Sequence, residues 1–442
     1  GVYLVKESKR NYPYDTNLSH VLGYVGIDNQ GLSGLELQYD KYLTGEYGSI
    51  KYYSDAKGNK LKLSEIYEQP QDGMNITLTI NNDIQLAIER ELDNAVSKYN
   101  PEHALAIAMD PNTGEILGMS SRPNFSPSNY QNYSTEEINR NLPIWMNYEP
   151  GSTFKIITLA SSLEENTVDL QNDHFYDGGS VTGIDLNGEA TGIIFKLDRV
   201  GEVELATTAF GQGVSVTPIQ QITAVSAAIN GGKLFKPYIV KSITEPETNN
   251  AVVTNKPQMV RRVISEEASK KTALALESVV TNGTGRNAFI DGYRVGGKTG
   301  TAQKVKDGAY MSGNYILSFI GFLPADNPKV VVYVAIDNPK GIVQYGGTVA
   351  APIAKAILED SINALNIPKS EDAKEKNYQL WDKRYAEVPN VVNQKLSDVK
   401  GSLQKFDVQY TGTGEYILFQ SPSAGERVYE GTKIRILLGD KK

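Results

Sequence analysis

Apolar residues recur along this chain with two different periods, and the switches between them mark its elements. Residues 74–80, Met-Asn-Ile-Thr-Leu-Thr-Ile, alternate apolar and polar side chains, the pattern of a strand with one covered face. The period then changes: Ile84, Ile88, Leu92, Ala95 and Tyr99 form one helical stripe, with Asn82 as its N-cap. Residues 103–109 and 115–119 read as two strands around Asp110-Pro111-Asn112-Thr113-Gly114, a hairpin sequence. A second stripe, Ile156, Ile157, Leu159, Ala160 and Leu163, predicts a buried amphipathic helix over 152–165 with Ser152 in its first turn.

The second half supplies matching pieces. A helix runs from Thr217-Pro218 through Ala228, with Pro218 at a tolerated first-turn position, and another covers 266–280. Residues 293–303 read as a strand whose glycines leave its surface open to a close-packed ligand. Strands at 315–322 and 330–336 and a helix over 350–365 complete the unit. Strands at both ends with helices between them predict an α+β fold, an antiparallel sheet covered by helices, over residues 73–368. Ahead of it, residues 1–72 read as a β-rich module rich in glycine and tyrosine, with no visible chemistry. Behind it come a charged linker over 369–386 and a small α+β unit over 387–442, with a helix at 396–403 and strands at 406–410, 416–420 and 433–438.

Composition narrows the chemistry. The 442 residues allow several domains. Lysine and arginine total 44 against 52 acidic residues, a net charge of -8, so no basic footprint for nucleic acid is present. The absence of cysteine removes thiol nucleophiles, Cys-based zinc sites and disulfides together. His20, His103 and His174 are isolated, so no metal or other cofactor is expected. Gly211-Gln212-Gly213 lacks the third glycine of a dinucleotide fingerprint and is not a phosphate cradle. No run of 18 apolar residues occurs, and Val2-Tyr3-Leu4-Val5 reads as strand from the first residues, which suggests a piece of a longer protein whose anchor lies elsewhere.

Two short elements carry candidate chemistry. In Glu149-Pro150-Gly151-Ser152-Thr153-Phe154-Lys155 a hydroxyl and an amine stand three residues apart, on one face of a helix. A serine needs a base to become a nucleophile, and a lysine near a second cation can be that base; the spacing alone also fits a helix start with a solvated lysine. Lys298-Thr299-Gly300-Thr301 adds the second cation.

Together these resemble the penicillin-binding and serine β-lactamase superfamily, which pairs S-x-x-K with K-T-G on the neighbouring strand. Gly31-Leu32-Ser33-Gly34-Leu35-Glu36 with Tyr39-Asp40, Asp110 to Glu115, Gly211-Gln212-Gly213 with Thr217-Pro218, and the stretch from Gly297 to Gln303 look like a class B penicillin-binding protein, a D,D-transpeptidase. The resemblance covers residues 1 to about 366. It implies that Ser152 is the acylated nucleophile, Lys155 its general base, and Lys298 a cation that orients substrate and keeps Lys155 unprotonated. Thr299, Gly300 and Thr301 would bind substrate, the threonine hydroxyls taking the terminal carboxylate of a D-alanyl-D-alanine stem peptide. The N–H groups of Ser152 and Thr301 would form an oxyanion hole. The implied partners are peptidoglycan stem peptides, β-lactams that mimic the donor, and a cell-wall polymerase; the implied location is the extracytoplasmic face of the cell membrane or of the forespore membrane.

One departure stands out. The family has an S-x-N motif on a helical lobe some fifty residues beyond the nucleophile, whereas here the family-like stretch ending at Ser180-Val181 runs directly into Thr182-Gly183-Ile184-Asp185. Ser312-Gly313-Asn314 and Ser361-Ile362-Asn363 fit the letters but follow K-T-G. Either the lobe is deleted or the sequence omits it, and omission is the reading preferred, since deletion would remove a proton relay.

The C-terminal unit resembles one PASTA domain, most tellingly at residues 420–425, with wall or β-lactam binding and plain spacing both open as its role. With the wording of 182–198, it looks most like the sporulation-specific class B enzymes, which serve spore cortex synthesis; a vegetative septal or elongation enzyme is the runner-up. The rivals from other classes are a serine β-lactamase or β-lactam sensor and a non-catalytic wall-binding scaffold.

Overall fold

In the computed structural model, residues 9–57, 60–164, 180–193, 201–306, 308–374 and 385–440 are described. Strands β1 (His103–Met109), β2 (Ile116–Arg122), β3 (Gly296–Lys306), β4 (Ala309–Leu323) and β5 (Val330–Asp337) form one five-stranded sheet in the order β3-β4-β5-β1-β2. Every pairing in it is antiparallel, and β3 is an edge strand.

Alternation along the strands explains how the sheet is covered. In β1, Leu105, Ile107 and Met109 enter one core while Ala104, Ala106 and Ala108 enter another; in β5, Val331, Tyr333 and Ala335 oppose Val330, Val332, Val334 and Ile336 in the same way. The even-numbered set of β1 packs under α1 (Asn82–Tyr99) and α5 (Gly346–Ala364), through residues such as Ile88, Leu92, Val349 and Ile357. The odd-numbered set packs under α2 (Lys155–Leu163), α3 (Pro218–Ile229) and α4 (Glu266–Thr281). The expected antiparallel sheet between helices is therefore what forms.

Local signals set the helix ends. Asn81, one residue before the position expected, caps α1 by accepting from the N–H groups of Asp83 and Ile84 at 3.0 and 3.2 Å. Thr217 and Gln220 close a capping box on α3, with Pro218 in the first turn, and all of α3 is buried. Both its faces meet other elements, so its polar residues Gln220, Gln221, Thr223 and Ser226 are buried along with its apolar ones.

The N-terminal stretch differs from the β-rich expectation. Among its described residues are three short helices, Ser19–Leu22, Gly34–Gln38 and Asp40–Leu43, and one hairpin of Ser49–Ser54 with Lys60–Glu68. Helices this short hold by packing rather than by propensity. Val21 and Leu35 enter the same core as α2 and α3, and the Leu18 N–H donates to Glu89 Oε1 at 3.0 Å.

Residues Gly1–Lys376 make one compact unit and Asn377–Lys442 a second. In the second, Asp407–Gly412, Lys433–Gly439 and Tyr416–Ser421 pair in that order, the first pair parallel and the other antiparallel. Val391, Leu403, Phe406, Ile417, Ile434 and Ile436 contribute to its own core. Among the described residues no helix is long and apolar enough to cross a membrane.

Candidate active site

Ser152 does not sit inside α2. It lies in a 3-10 turn, Gly151–Thr153, and α2 begins only at Lys155. The turn is tight because Gly151 takes φ +55°, the Phe154 N–H donates to Gly151 O at 2.9 Å, and the Thr153 hydroxyl donates back to Pro150 O at 2.7 Å. The i, i+3 spacing of Ser152 and Lys155 thus spans the junction between a 3-10 turn and an α-helix. Ser152 is half-buried and Lys155 exposed. Neither side chain hydrogen-bonds to another described residue.

Two backbone neighbours hold this turn. On one side the Gly151 N–H donates to Gly211 O at 3.0 Å, and a Cβ on Gly211 would stand 2.3 Å from Gly151 O. Two residues on, the Gly213 N–H donates to Glu149 Oε1 at 2.9 Å, and Tyr148 pairs with Val216 as an antiparallel bridge. Gly211 and Gly213 both adopt positive φ, +80° and +73°. Gly-Gln-Gly, to which sequence reasoning gave no role of its own, is therefore a backbone clamp on the serine turn. On the other side lies β3: a Cβ on Gly151 would be 3.3 Å from Ala302 Cβ, and one on Gly300 only 3.1 Å from Thr153 Cγ2 and 2.2 Å from Ser318 Oγ. Below, the hydroxyls of Tyr148 and Tyr333 hydrogen-bond to each other.

The register of β3 on β4 assigns its side chains to faces. Lys298 pairs with Ile320, whose side chain enters the core under α2, so Lys298 lies on the serine's face of the sheet. Burial, and then the charge of Lys155, bring the Lys298 amine down to about 8. Its Nζ donates to Thr299 O at 2.9 Å. Thr299 and Thr301 pair with Phe319 and Leu317, on the α5 face. The Thr299 hydroxyl is buried against that of Thr284 at 3.0 Å, and the Thr301 hydroxyl receives the Gly346 N–H at 3.5 Å. Gly300 cannot carry a side chain here, because the serine turn and Ser318 occupy its place.

Where the sequence passes from Val181 to Thr182, the chain is well tied: the Gln220 amide donates to Ser180 O at 2.8 Å, and the Thr182 N–H and hydroxyl donate to Glu189 Oε1 at 2.6 and 2.7 Å. His174 and the stretch 194–198 lie outside the described residues.

A cavity of about 500 Å3 is lined by Tyr148 and Glu149, just ahead of the serine turn. Ala302, Gln303, Lys304 and Val305 of β3 form one wall, and Glu149, Gly213 and Ser215 lead into it. Sequence reasoning missed it, because residues from 103 to 337 meet there and no local pattern announces the meeting.

The chain matches known proteins over its whole length. The penicillin binding protein transpeptidase domain matches residues 104–182 and 176–359, the penicillin-binding protein dimerisation domain 1–78, and the PASTA domain 386–440. Stage V sporulation protein D of Bacillus subtilis is 51% identical over 498 aligned positions, covering 100% of this chain and 77% of that protein. The peptidoglycan D,D-transpeptidase FtsI of Escherichia coli is 30% identical, covering 83% of this chain and 69% of that one. A crystal structure of penicillin binding protein 3 from Mycobacterium tuberculosis, complexed with ampicillin, superposes with a TM-score of 0.71 at 25% identity, covering 82% of this chain and 91% of that one. A serine turn clamped against a K-T-G edge strand and these matches lead to one conclusion: the chain belongs to the class B penicillin-binding proteins.

Proposed function

We propose that this chain is a serine-type peptidoglycan D,D-transpeptidase in which Ser152, Lys155 and Lys298 carry the chemistry. The observation that supports it most is the apposition of the serine turn and β3, with Lys298 on the serine's face and its amine held near 8. Ser152 Oγ attacks the carbonyl of the penultimate D-alanine while Lys155 accepts its proton. The terminal D-alanine leaves with a proton and an ester to Ser152 remains. An amine of a neighbouring stem then attacks that ester, yielding the cross-link and freeing the serine. Lys298, still charged at neutral pH, attracts the substrate's terminal carboxylate. Thr299 and Thr301 line the same strand, with their hydroxyls engaged on the α5 face.

The N–H groups of Ser152 and Thr301 serve as the oxyanion hole, a device whose loss costs about 10²- to 10³-fold in rate. β-Lactams acylate the same serine. The likeness to stage V sporulation protein D supports a role in spore cortex synthesis. The substrate places the catalytic unit on the extracytoplasmic face of a membrane, the forespore membrane in that role, beside the polymerase that makes the strands to be joined. The two-segment match of the transpeptidase domain, meeting at 176–182, and the 498 aligned positions against 442 residues support a helical lobe in relatives where Val181 here meets Thr182. Incubating the chain with a D-alanyl-D-alanine stem peptide and an amine acceptor tests the reading. Release of D-alanine with formation of the cross-linked dimer supports it, and release without any dimer, with the acyl group passing only to water, contradicts it.

A further inference from the structure

Three hydroxyls are buried in a row under the serine turn, on Tyr148, Tyr333 and Ser318, residues that are 6%, 0% and 2% exposed. The hydroxyls of Tyr148 and Tyr333 hydrogen-bond to each other, and the Tyr333 hydroxyl also meets that of Ser318. A buried hydroxyl is costly unless it is paired, and this core accepts phenylalanine, as Phe322 shows on β4. Packing alone therefore does not call for oxygens here.

The ends of the row stand at the two walls of the site. Tyr148 leads into the serine turn and is bridged to Val216, beside the Gly-Gln-Gly clamp. Ser318 pairs with Gly300 across β3 and β4, and its Oγ fills the place where a side chain on Gly300 would stand. Thr153 Cγ2 and Pro150 O of the serine turn lie 3.1 and 3.4 Å from that place. Tyr333 pairs with Ile320 and lies diagonal to Ser318 on the same face of the sheet, so it reaches both supports. Burial pushes the Tyr333 phenol up to about 12 and that of Tyr148 well above its ordinary value; both stay neutral at neutral pH, and neither serves as a base.

We propose that Tyr333 is a positioning residue for the acyl transfer: its hydroxyl ties the lead-in of the serine turn to the strand position beside Gly300, and so holds the Ser152 and Thr301 N–H groups at the separation one oxyanion needs. This deepens the transpeptidase reading and rests on it. Ser152 and Thr301 belong to separate segments, and each neighbours one end of the row. Slack between them weakens both donors in the transition state and leaves ground-state binding in place.

The test resolves acylation of the full chain by benzylpenicillin into a noncovalent affinity K and an acylation rate k2. Tyr333→Phe removes the oxygen and keeps the ring. It is expected to lower k2 at least about tenfold with K within about twofold, and Tyr148→Phe should do the same. The double variant should lose no more than the larger single loss, because either change breaks the same bond. A merely structural hydroxyl would lower resistance to denaturant and leave k2 of the folded protein alone. Unchanged k2 in folded Tyr333→Phe, a loss carried by K, or losses that multiply in the double variant overturn the inference. If Tyr333→Phe does not fold, Ser318→Ala, which removes the far end of the row, reads the same constants: a fall in k2 of about tenfold supports the inference, and unchanged k2 overturns it. Absence of any acylation of the unaltered chain overturns the underlying reading instead.

Discussion

Lys298 and Lys155 lie within electrostatic reach of each other, and the charge on Lys155 is the second cause, after burial, that brings the Lys298 amine down to about 8.

The pH dependence follows from that value. Below about 8 Lys298 is protonated and attracts an anionic β-lactam; above it the cation is lost. Acylation by penicillin should fall as pH rises through 8 to 9, and Lys298→Arg should flatten that limb, since a guanidinium stays charged. In Lys155→Ala the Lys298 midpoint should move up, because one of the two causes that depress it is gone; NMR titration of the lysine side chains reads the shift.

Lys155 is exposed at the first position of α2, so it can be removed with little structural consequence. Lys155→Ala should change the unfolding free energy by no more than about 0.5 kcal/mol. Acylation by penicillin should nevertheless fall below detection. Rapid acylation of this variant would show that another group deprotonates Ser152.

The glycine clamp makes a different prediction. In Gly211→Ala the new methyl would meet Gly151 O at 2.3 Å in a backbone at φ +80°. The serine turn must move, at a cost of about 1–3 kcal/mol, and the acylation rate should fall with it. Denaturant unfolding and penicillin acylation of the same sample check both halves. Gly188→Ala, where nothing lies within 4 Å, is the control for the positive-φ cost alone.

Much of this architecture was legible because its signals are local. Apolar runs marked β1 and β5, Asp110 to Gly114 marked the hairpin of β1 with β2, and Thr217-Pro218 announced α3. The faces of β3 were equally available: a period of two separates Lys298 from Thr299 and Thr301, and the register on Ile320, Phe319 and Leu317 shows that separation. What stayed hidden depends on distant partners. The helices at Ser19–Leu22 and Gly34–Gln38 exist because Val21 and Leu35 pack into a remote core. Gly211 matters because Gly151 presses on it, and the cavity needs Arg140, Glu149 and Ala302 in one place. Gly151 could have warned that α2 starts late, since a glycine at positive φ stands outside helical geometry.

One ion pair away from the site offers a test of the scaffold. Glu277, its side chain 1% exposed, is held by Arg294 at 2.9 Å; burial works to raise its carboxyl, but the Arg294 hydrogen bonds and charge, with Lys374, carry it below the usual range. A depressed carboxylate stabilises the fold above its unfolded value and loses that contribution as pH falls toward its folded one. Arg294→Met should cost about 3–5 kcal/mol at neutral pH by leaving a buried charge, less whatever Lys374 restores, and the loss should narrow in acid. Denaturant titrations at neutral and acidic pH measure it.

The account stands most directly on the fate of penicillin at Ser152. Incubating the chain with benzylpenicillin and mapping the adduct by peptide mass spectrometry should find one acyl group on the peptide containing Ser152, persisting for hours, and none in Ser152→Ala. No adduct, an adduct on another residue, or an adduct hydrolysed within seconds as a β-lactamase would do, contradicts it.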